Sequence, residues 1–111
     1  MEKFVKGNVI VIPFPFSDLS AIKRRPALVL ANLTGEDILL CQITSQNYED
    51  KYALKLNKTT DFLKGALFVN SYIRPERIFT ANKNIILKSV GTVSKEIMDK
   101  TIKVIISILN Q

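Results

Sequence analysis

Runs of aliphatic and β-branched residues, separated by short polar turns, recur along the chain and predict β-strands. Residues 8–14 and 26–32 are two such runs. Neither alternates cleanly between apolar and polar positions, so both strands are expected to be buried on two faces. A turn containing Gly35 separates the second run from residues 37–45, which predicts a hairpin of strands two and three.

The apolar runs become shorter after residue 45, and polar segments interrupt them. Residues 52–57 alternate and predict a half-exposed fourth strand, followed by a polar connection over residues 58–65. Residues 66–81 predict one or two short strands, and Pro75 is expected to bend or end the first because proline cannot donate to a ladder. A further apolar run covers residues 84–93.

In the C-terminal part of the chain, the apolar positions change from strand spacing to helical spacing. Ser94 stands where an N-cap belongs. The positions that recur behind it at helical spacing are Ile97, Met98, Thr101, Ile102, Ile105, Ile108 and Leu109. We interpret this stripe as packing on a sheet rather than as a partner or membrane face. The predicted fold class is mainly β with a C-terminal α-helix, as one bent antiparallel sheet or partly open barrel over residues 1–111.

The composition of the chain restricts the catalytic sites, metal sites and partners that it can have. The chain has no histidine, which excludes histidine triads, histidine bases and ordinary zinc sites. A net charge of +6 favours a negatively charged partner such as nucleic acid or an acidic protein, although such an excess more often reflects a solvated basic surface. Cys41 is the only cysteine, so we expect a buried, inert thiol and a reducing cytoplasmic location. No apolar run approaches the ~20 residues of a membrane helix, so no membrane association is expected.

The segment after the first predicted strand begins with two prolines. Pro13 and Pro15 remove ladder donors, so the strand is expected to leave its sheet there. Phe14 is expected to pack beneath the following loop. Phe16 either packs in the same way or offers its ring to an unpaired base.

Three cations, Lys23, Arg24 and Arg25, stand directly before the second predicted strand. An arginine held by a strand can present its planar fork to a phosphate with little loss of freedom, so Arg25 is preferred. Strand three ends with Thr44, Ser45 and Gln46. If strands two and three pair, the hydroxyl and amide groups at the end of strand three lie close to Arg25. This arrangement predicts a phosphodiester site at one edge of the barrel.

Taken in order, several segments resemble the MazF/PemK family of toxin endoribonucleases from type II toxin-antitoxin systems. The resemblance rests on "KGNVIVIPFPFSDLS", "KRRPALVL" and "CQITSQ", and continues more loosely through "SYIRPERIFT" and "VGTVSKEIMDKTIKVIISIL". It implies a small SH3-like barrel, usually homodimeric, that cleaves single-stranded RNA sequence-selectively without a metal ion or cofactor. It also implies a cognate acidic antitoxin as partner.

The same resemblance implies attack of the ribose 2′-OH on the adjacent phosphate, which leaves a 2′,3′-cyclic phosphate and a 5′-OH. Arg25 and Thr44 would be catalytic residues, with Arg25 stabilising the phosphorane. Thr44 and Ser45 would orient phosphate oxygens through their hydroxyl groups. The remaining candidates, all for RNA binding, are Phe16, Ser17, Asp18, Lys23, Arg24, Gln46, Ser71 and Arg74.

The sequence departs from the family pattern at two places. Asn8 replaces the usual Asp, and its amide is expected to accept the same backbone hydrogen bond. One branch of the family carries an "R-x-D" acid and base, but Val69 and Ser71 fall at those positions here. The general base is therefore unassigned, and Asp18 is either its replacement or a turn former.

Two other functions are compatible with the sequence. One is a barrel that binds single-stranded nucleic acid without cleaving it. The other is a toxin resembling CcdB, which has the same barrel but inhibits gyrase through its C-terminal helix. Cleavage of RNA in EDTA would exclude both.

Overall fold

Seven strands and one helix make up the computed structural model, which describes residues 4–14, 23–46 and 50–111, with only the backbone of Phe14. The strands are β1 Asn8–Phe14, β2 Lys23–Asn32, β3 Asp37–Thr44, β4 Leu54–Leu56, β5 Phe62–Gly65, β6 Ser71–Asn82 and β7 Lys88–Val93. A 3₁₀ turn covers Lys83–Ile85, and the helix, α1, covers Lys95–Leu109. The strands form one antiparallel sheet in the order β4-β6-β3-β2-β1-β7-β5, which curls into a half-barrel. The predicted fold class is confirmed.

The central strands β1, β2 and β3 are buried on both faces of the sheet. Ala27, Leu28 and Val29 follow one another in β2 and are all 0% exposed, which explains why this strand does not alternate. One apolar cluster contains Phe4, Ile10, Ile12, Ala27, Val29, Ile38 and Leu40. The second cluster lies on the opposite face and contains Val9, Leu28, Leu30, Cys41, Ile43, Leu56, Ile73 and Val93. The predicted two-faced burial of the first two strands is confirmed.

Helix α1 covers the second cluster. Its N-terminus is capped as predicted, because the Ser94 hydroxyl oxygen accepts a hydrogen bond from the Ile97 amide at 3.3 Å. Ile97 and Met98 join the buried cluster, and Ile102 and Ile105 pack against it. The helical stripe is therefore core packing. Within the described residues, no helix is long and apolar enough to cross a membrane.

Strand β1 has the predicted bounds, residues 8–14, but it stays paired with β2 through Pro13. Pro13 pairs with Arg24 and Phe14 with Lys23, so the expectation that the strand leaves its sheet at Pro13 is wrong. On its other side, the ladder with β7 ends at Val11 opposite Lys88. The missing proline N–H therefore costs no ladder hydrogen bond there. One consequence is that β2 begins at Lys23, three residues before its predicted start.

Strand β6 is a single strand of 12 residues that passes through Pro75. Its pairing with β3 steps from Gln42 opposite Arg74 to Cys41 opposite Ile78, so residues 75–77 form a bulge. Proline is tolerated because a bulged residue makes no ladder bond. Strand β5 was also missed, since it lies inside the predicted polar connection and only Phe62 of its four residues is even half-buried.

Two smaller expectations are confirmed. The Asn8 side-chain oxygen accepts a hydrogen bond from the Val5 amide at 2.8 Å, and its amide group donates to Thr92 at 3.0 Å. Cys41 is fully buried, and burial raises the pKa of its thiol to about 12, with a smaller contribution from the Glu76 carboxylate. The thiol is therefore protonated at neutral pH.

Gly65 of β5 lies close against the backbone of β7, and we expect its replacement by alanine to destabilise the fold. Its φ is +75°, and an added Cβ would overlap the carbonyl oxygen of Val90. Strain and backbone overlap together should cost about 2–4 kcal/mol in the free energy of unfolding, measured by urea denaturation. The matched control is Gly35→Ala, where φ is +81° but the space is open, with an expected cost of about 1–2 kcal/mol. Equal losses in the two variants would contradict the close approach.

Candidate active site

Arg25 and Thr44 lie at the same end of the β2–β3 hairpin. The ladder between these strands ends with Ala27 opposite Gln42, and Arg25 and Thr44 are each two residues beyond that pair. Because side chains alternate along a strand, both are on the same face as Ala27 and Gln42. The predicted hairpin is confirmed, and it brings together the two residues expected to act on phosphate.

The position of Arg25 is set by the strand on its other side. Arg25 is half-buried and pairs with Ile12, which is 1% exposed and anchored in the first apolar cluster. Lys23 is exposed and shares the Arg25 face, whereas Arg24 is exposed on the opposite face. Of the three cations, all of which pair with β1, Arg25 is therefore the one that is half-buried, lies opposite a buried residue and shares the face and the hairpin end of Thr44.

Thr44 is held by burial and by a backbone hydrogen bond. It is 3% exposed, and its hydroxyl oxygen accepts a hydrogen bond from the Gln46 amide at 3.2 Å. That contact leaves the hydroxyl proton to be donated. Ser45 and Gln46 are exposed beyond the end of β3 and form the open side of the same edge.

Strand β6 adds Arg74 to this face, where two acidic side chains contact it. Arg74 is opposite Gln42 and only 6% exposed. Its Nε donates to Glu76 Oε2 at 2.8 Å, and its Nη2 pairs with Asp50 Oδ2 at 3.2 Å. Two carboxylates therefore share the Arg74 charge, and contact of this guanidinium with RNA stays a prediction.

Asp50 ties the residues just before β4 to this arginine. Its Oδ1 accepts hydrogen bonds from the amides of Ala53 at 2.8 Å and Tyr52 at 2.9 Å. These two backbone contacts lower the pKa of the Asp50 carboxyl, and the Arg74 charge lowers it further. Asp50 thus has both of its oxygens engaged.

Glu76, by contrast, has one oxygen without a partner in the described part of the chain. It is not among the site residues predicted from the sequence. Its Oε1 is buried and has no hydrogen-bond partner among the described residues. A buried carboxylate oxygen without a partner is costly, so a hydrogen-bond donor that reached it would be stabilising. The signal was present in "SYIRPERIFT": an Arg-x-acid spacing occurs at Arg74 and Glu76, five positions after Val69 and Ser71, where the resemblance put it.

Ser71 is not brought together with the other candidates. It is 4% exposed and opposite Leu56, and its hydroxyl donates to the Val69 carbonyl at 3.1 Å. Strand alternation puts it on the face opposite Tyr72 and Thr44. The candidates Phe16, Ser17 and Asp18 lie outside the described residues. Within residues 4–14, 23–46 and 50–111, no three potential metal-binding side chains of His, Cys, Asp or Glu come together.

The strand order, with one helix packed across the sheet, defines a class of small half-barrel proteins. A family model described as "PemK-like, MazF-like toxin of type II toxin-antitoxin system" matches residues 5–109. The chain therefore belongs to this toxin family. No curated protein matches the sequence significantly.

Three solved structures with the same fold are from Deinococcus radiodurans and mycobacterial species. The MazE-MazF complex from Deinococcus radiodurans superposes with a TM-score of 0.77 at 14% identity, covering 100% of this chain and 99% of that one. An endoribonuclease in complex with its cognate antitoxin, from a mycobacterial species, gives 0.77 at 14% identity, covering 97% and 96%. A mycobacterial endoribonuclease gives 0.73 at 17% identity, covering 99% and 94%. At these identities, the likeness establishes the fold.

Proposed function

We propose that this toxin is a sequence-selective endoribonuclease that cleaves single-stranded RNA without a metal ion. The observation that carries the proposal is the location of Arg25 and Thr44 at one end and on one face of the β2–β3 hairpin. Family membership supports it, as does the shared fold with two structures named as endoribonucleases.

The reaction would begin when the 2′-OH of one nucleotide loses its proton to a base and its oxygen bonds to the adjacent phosphorus. The bond from phosphorus to the 5′ oxygen then breaks, and that oxygen takes up a proton. The products are a 2′,3′-cyclic phosphate and a 5′-OH end. Arg25 would stabilise the extra negative charge on the phosphorane, while the Thr44 and Ser45 hydroxyls donate to phosphate oxygens.

Arg25 is assigned charge stabilisation rather than proton donation. A guanidinium has a pKa above ~12, so it gives up a proton too reluctantly to be an effective acid near neutral pH. Its planar fork, by contrast, matches two phosphate oxygens at once.

We assign the role of general base to Glu76. Arg74 holds its Oε2, while its Oε1 lacks a partner among the described residues. Arg74 is also the diagonal neighbour of Thr44 across β3 and β6, because it pairs with Gln42. Such diagonal residues have Cα atoms about 7–8 Å apart, within reach of one bound nucleotide. Asp18 remains the alternative base.

The partners follow from the same family. We propose that a cognate antitoxin with an acidic segment covers the basic edge containing Lys23, Arg25 and their neighbours, and that the toxin forms a homodimer in the cytoplasm. The net charge of +6 suits an acidic partner. Two structures with this fold contain an antitoxin or MazE beside the toxin.

The test is incubation of the purified protein in EDTA with a long single-stranded RNA and with DNA of the same sequence. We expect discrete RNA fragments with 5′-OH ends and intact DNA, because DNA lacks the attacking hydroxyl. Intact RNA would contradict the proposal. It would instead favour the nucleic-acid-binding barrel or the gyrase-inhibiting toxin.

A further inference from the structure

A cavity of about 340 Å³ lies next to the proposed catalytic face. Tyr72 on β6 is opposite Thr44 on one side and opposite Lys55 of β4 on the other. These three side chains therefore form a row across the sheet, about 10 Å from Thr44 to Lys55 at the usual strand spacing. The residues around the cavity are Lys55, Leu56, Asn57, Asp61, Asn70, Ser71 and Tyr72.

Two asparagine amides in the cavity wall have fixed orientations. The Asn57 side-chain oxygen accepts hydrogen bonds from the amides of Thr59 and Thr60, both at 3.0 Å. The Asn70 oxygen accepts from the Lys58 amide at 2.9 Å. Since only the oxygen can accept from a backbone N–H, the NH₂ groups are the ends left for a ligand. No hydrogen-bond acceptor for either NH₂ is found among the described residues.

Asp61 supplies a hydrogen-bond acceptor that complements the two asparagine NH₂ donors. One carboxylate oxygen, Oδ2, accepts a hydrogen bond from the Asn57 amide at 2.7 Å, which locks the side chain in the cavity wall. The other oxygen, Oδ1, makes no hydrogen bond to any described residue. The cavity wall therefore combines NH₂ donors with a carboxylate acceptor, beside a half-buried tyrosine ring and an exposed lysine.

We propose that this cavity is a subsite for an unpaired base that carries a ring N–H beside a carbonyl oxygen, which means uracil or guanine. The ring N–H would donate to Asp61, and the carbonyl oxygen would accept from an asparagine NH₂. The base would stack on Tyr72, and Lys55 would contact a phosphate of the same strand. Adenine and cytosine have an unprotonated ring nitrogen at that position, which the Asp61 carboxylate repels. The inference rests on the proposed function, since the row through Thr44 makes the cavity a neighbour of the cleaved bond.

The test is cleavage of a randomised single-stranded RNA pool by the wild type and by two variants, with sequencing of the cut ends. Asp61→Asn and Asn70→Asp each keep the side-chain oxygen that accepts a backbone hydrogen bond. Asp61→Asn replaces the other carboxylate oxygen with NH₂, and Asn70→Asp replaces the NH₂ with an oxygen. For the wild type we expect uracil or guanine at one fixed position, favoured about tenfold or more over adenine and cytosine. In both variants that preference should disappear, while preferences at other positions remain. The sequencing also separates a uracil subsite from a guanine subsite.

Asp37→Asn is the matched control, because Asp37 is exposed at the opposite end of β3 from Thr44. It should keep the wild-type pattern, and melting temperatures should verify that all three variants fold. Wild-type cleavage without such a position, or variants that keep the preference, would overturn the subsite.

A binding measurement separates this inference from the proposed function. Octamers of 2′-O-methyl U, A or C cannot be cleaved by the proposed route, and an A octamer with one central G tests guanine. Tighter binding of the U or G oligomer, lost in Asp61→Asn, would support the subsite even if the protein cleaved no RNA. Equal binding of all four oligomers would overturn it even if cleavage were observed.

Discussion

Arg25→Ala is expected to lower the single-turnover rate of RNA cleavage by about 10²–10⁴-fold, with less effect on RNA affinity. Arg25 is at the same end and on the same face of the β2–β3 hairpin as Thr44, and it pairs with the buried Ile12 of β1. Removing one preorganised group that stabilises transition-state charge typically costs about 10²–10³-fold in rate, and a full charge on the phosphorane supports the upper part of the expected range. Arg25→Lys should recover only part of the loss, because an ammonium group is a point charge without the bidentate fork. Quenched single-turnover reactions at saturating protein measure this rate directly.

Arg24→Ala is the matched control for that experiment. It removes the same side chain from the adjacent position, but on the opposite face of β2. We expect the rate at saturation to change by less than about threefold, with weaker RNA binding that reflects the loss of one surface charge. If both variants lost the same activity, the effect would belong to the basic segment as a whole and not to a fixed role of Arg25.

Glu76→Gln is expected to lower the cleavage rate by about 10²–10⁴-fold at neutral pH, which is the usual contribution of a general base. The glutamine can still accept the hydrogen bond from Arg74, but it cannot take up the 2′-OH proton. Without the base, the reaction depends on hydroxide, so the rate of the variant should rise steadily with pH in the alkaline range. Rates measured from pH 6 to 9 for both proteins would give the two profiles.

Asp50→Asn distinguishes a base from a residue that only positions Arg74. Both acids contact the Arg74 guanidinium, but only Glu76 has a buried oxygen without a partner in the described part of the chain. We expect Asp50→Asn to lower the rate less than tenfold and to keep the wild-type pH profile. A loss as large as that of Glu76→Gln, with the same change in pH profile, would show that Glu76 acts only through Arg74.

The elements that could be predicted from the sequence are those whose own apolar residues make the core. β1, β2, β3 and α1 are such elements, since each contributes several fully or almost fully buried side chains. β5 could not be predicted in this way, because it is a short edge strand whose stability comes from pairing with β7. The continuity of β6 through Pro75 also depends on pairing, as the bulge opposite Cys41 and Gln42 is a property of two strands.

The site residues also divide into those that could be predicted from the sequence and those that could not. Arg25 and Thr44 could be predicted because they lie at strand ends that a simple hairpin brings together. The Arg-x-acid spacing at Arg74 and Glu76 is visible in the sequence, but its place in the site is not, because the β6 bulge changes which side chains share a face and sequence spacing alone does not reveal a bulge. The contact between Asp50 and Arg74 joins residues 24 positions apart, and the cavity at Asp61 depends on the position of β4 beside β6. Such contacts between distant segments follow from the folded sheet and not from local pattern.

The proposed mechanism requires this edge of the sheet to cleave RNA by attack of the 2′-OH. The most direct measurement uses a short RNA that the toxin cuts at one bond, with a single 2′-deoxy substitution in the nucleotide on the 5′ side of that bond. We expect the wild-type protein to bind the substituted strand with unchanged affinity and to leave that bond intact. Continued cleavage at the substituted bond would mean that the nucleophile is not the 2′-OH and would contradict the mechanism.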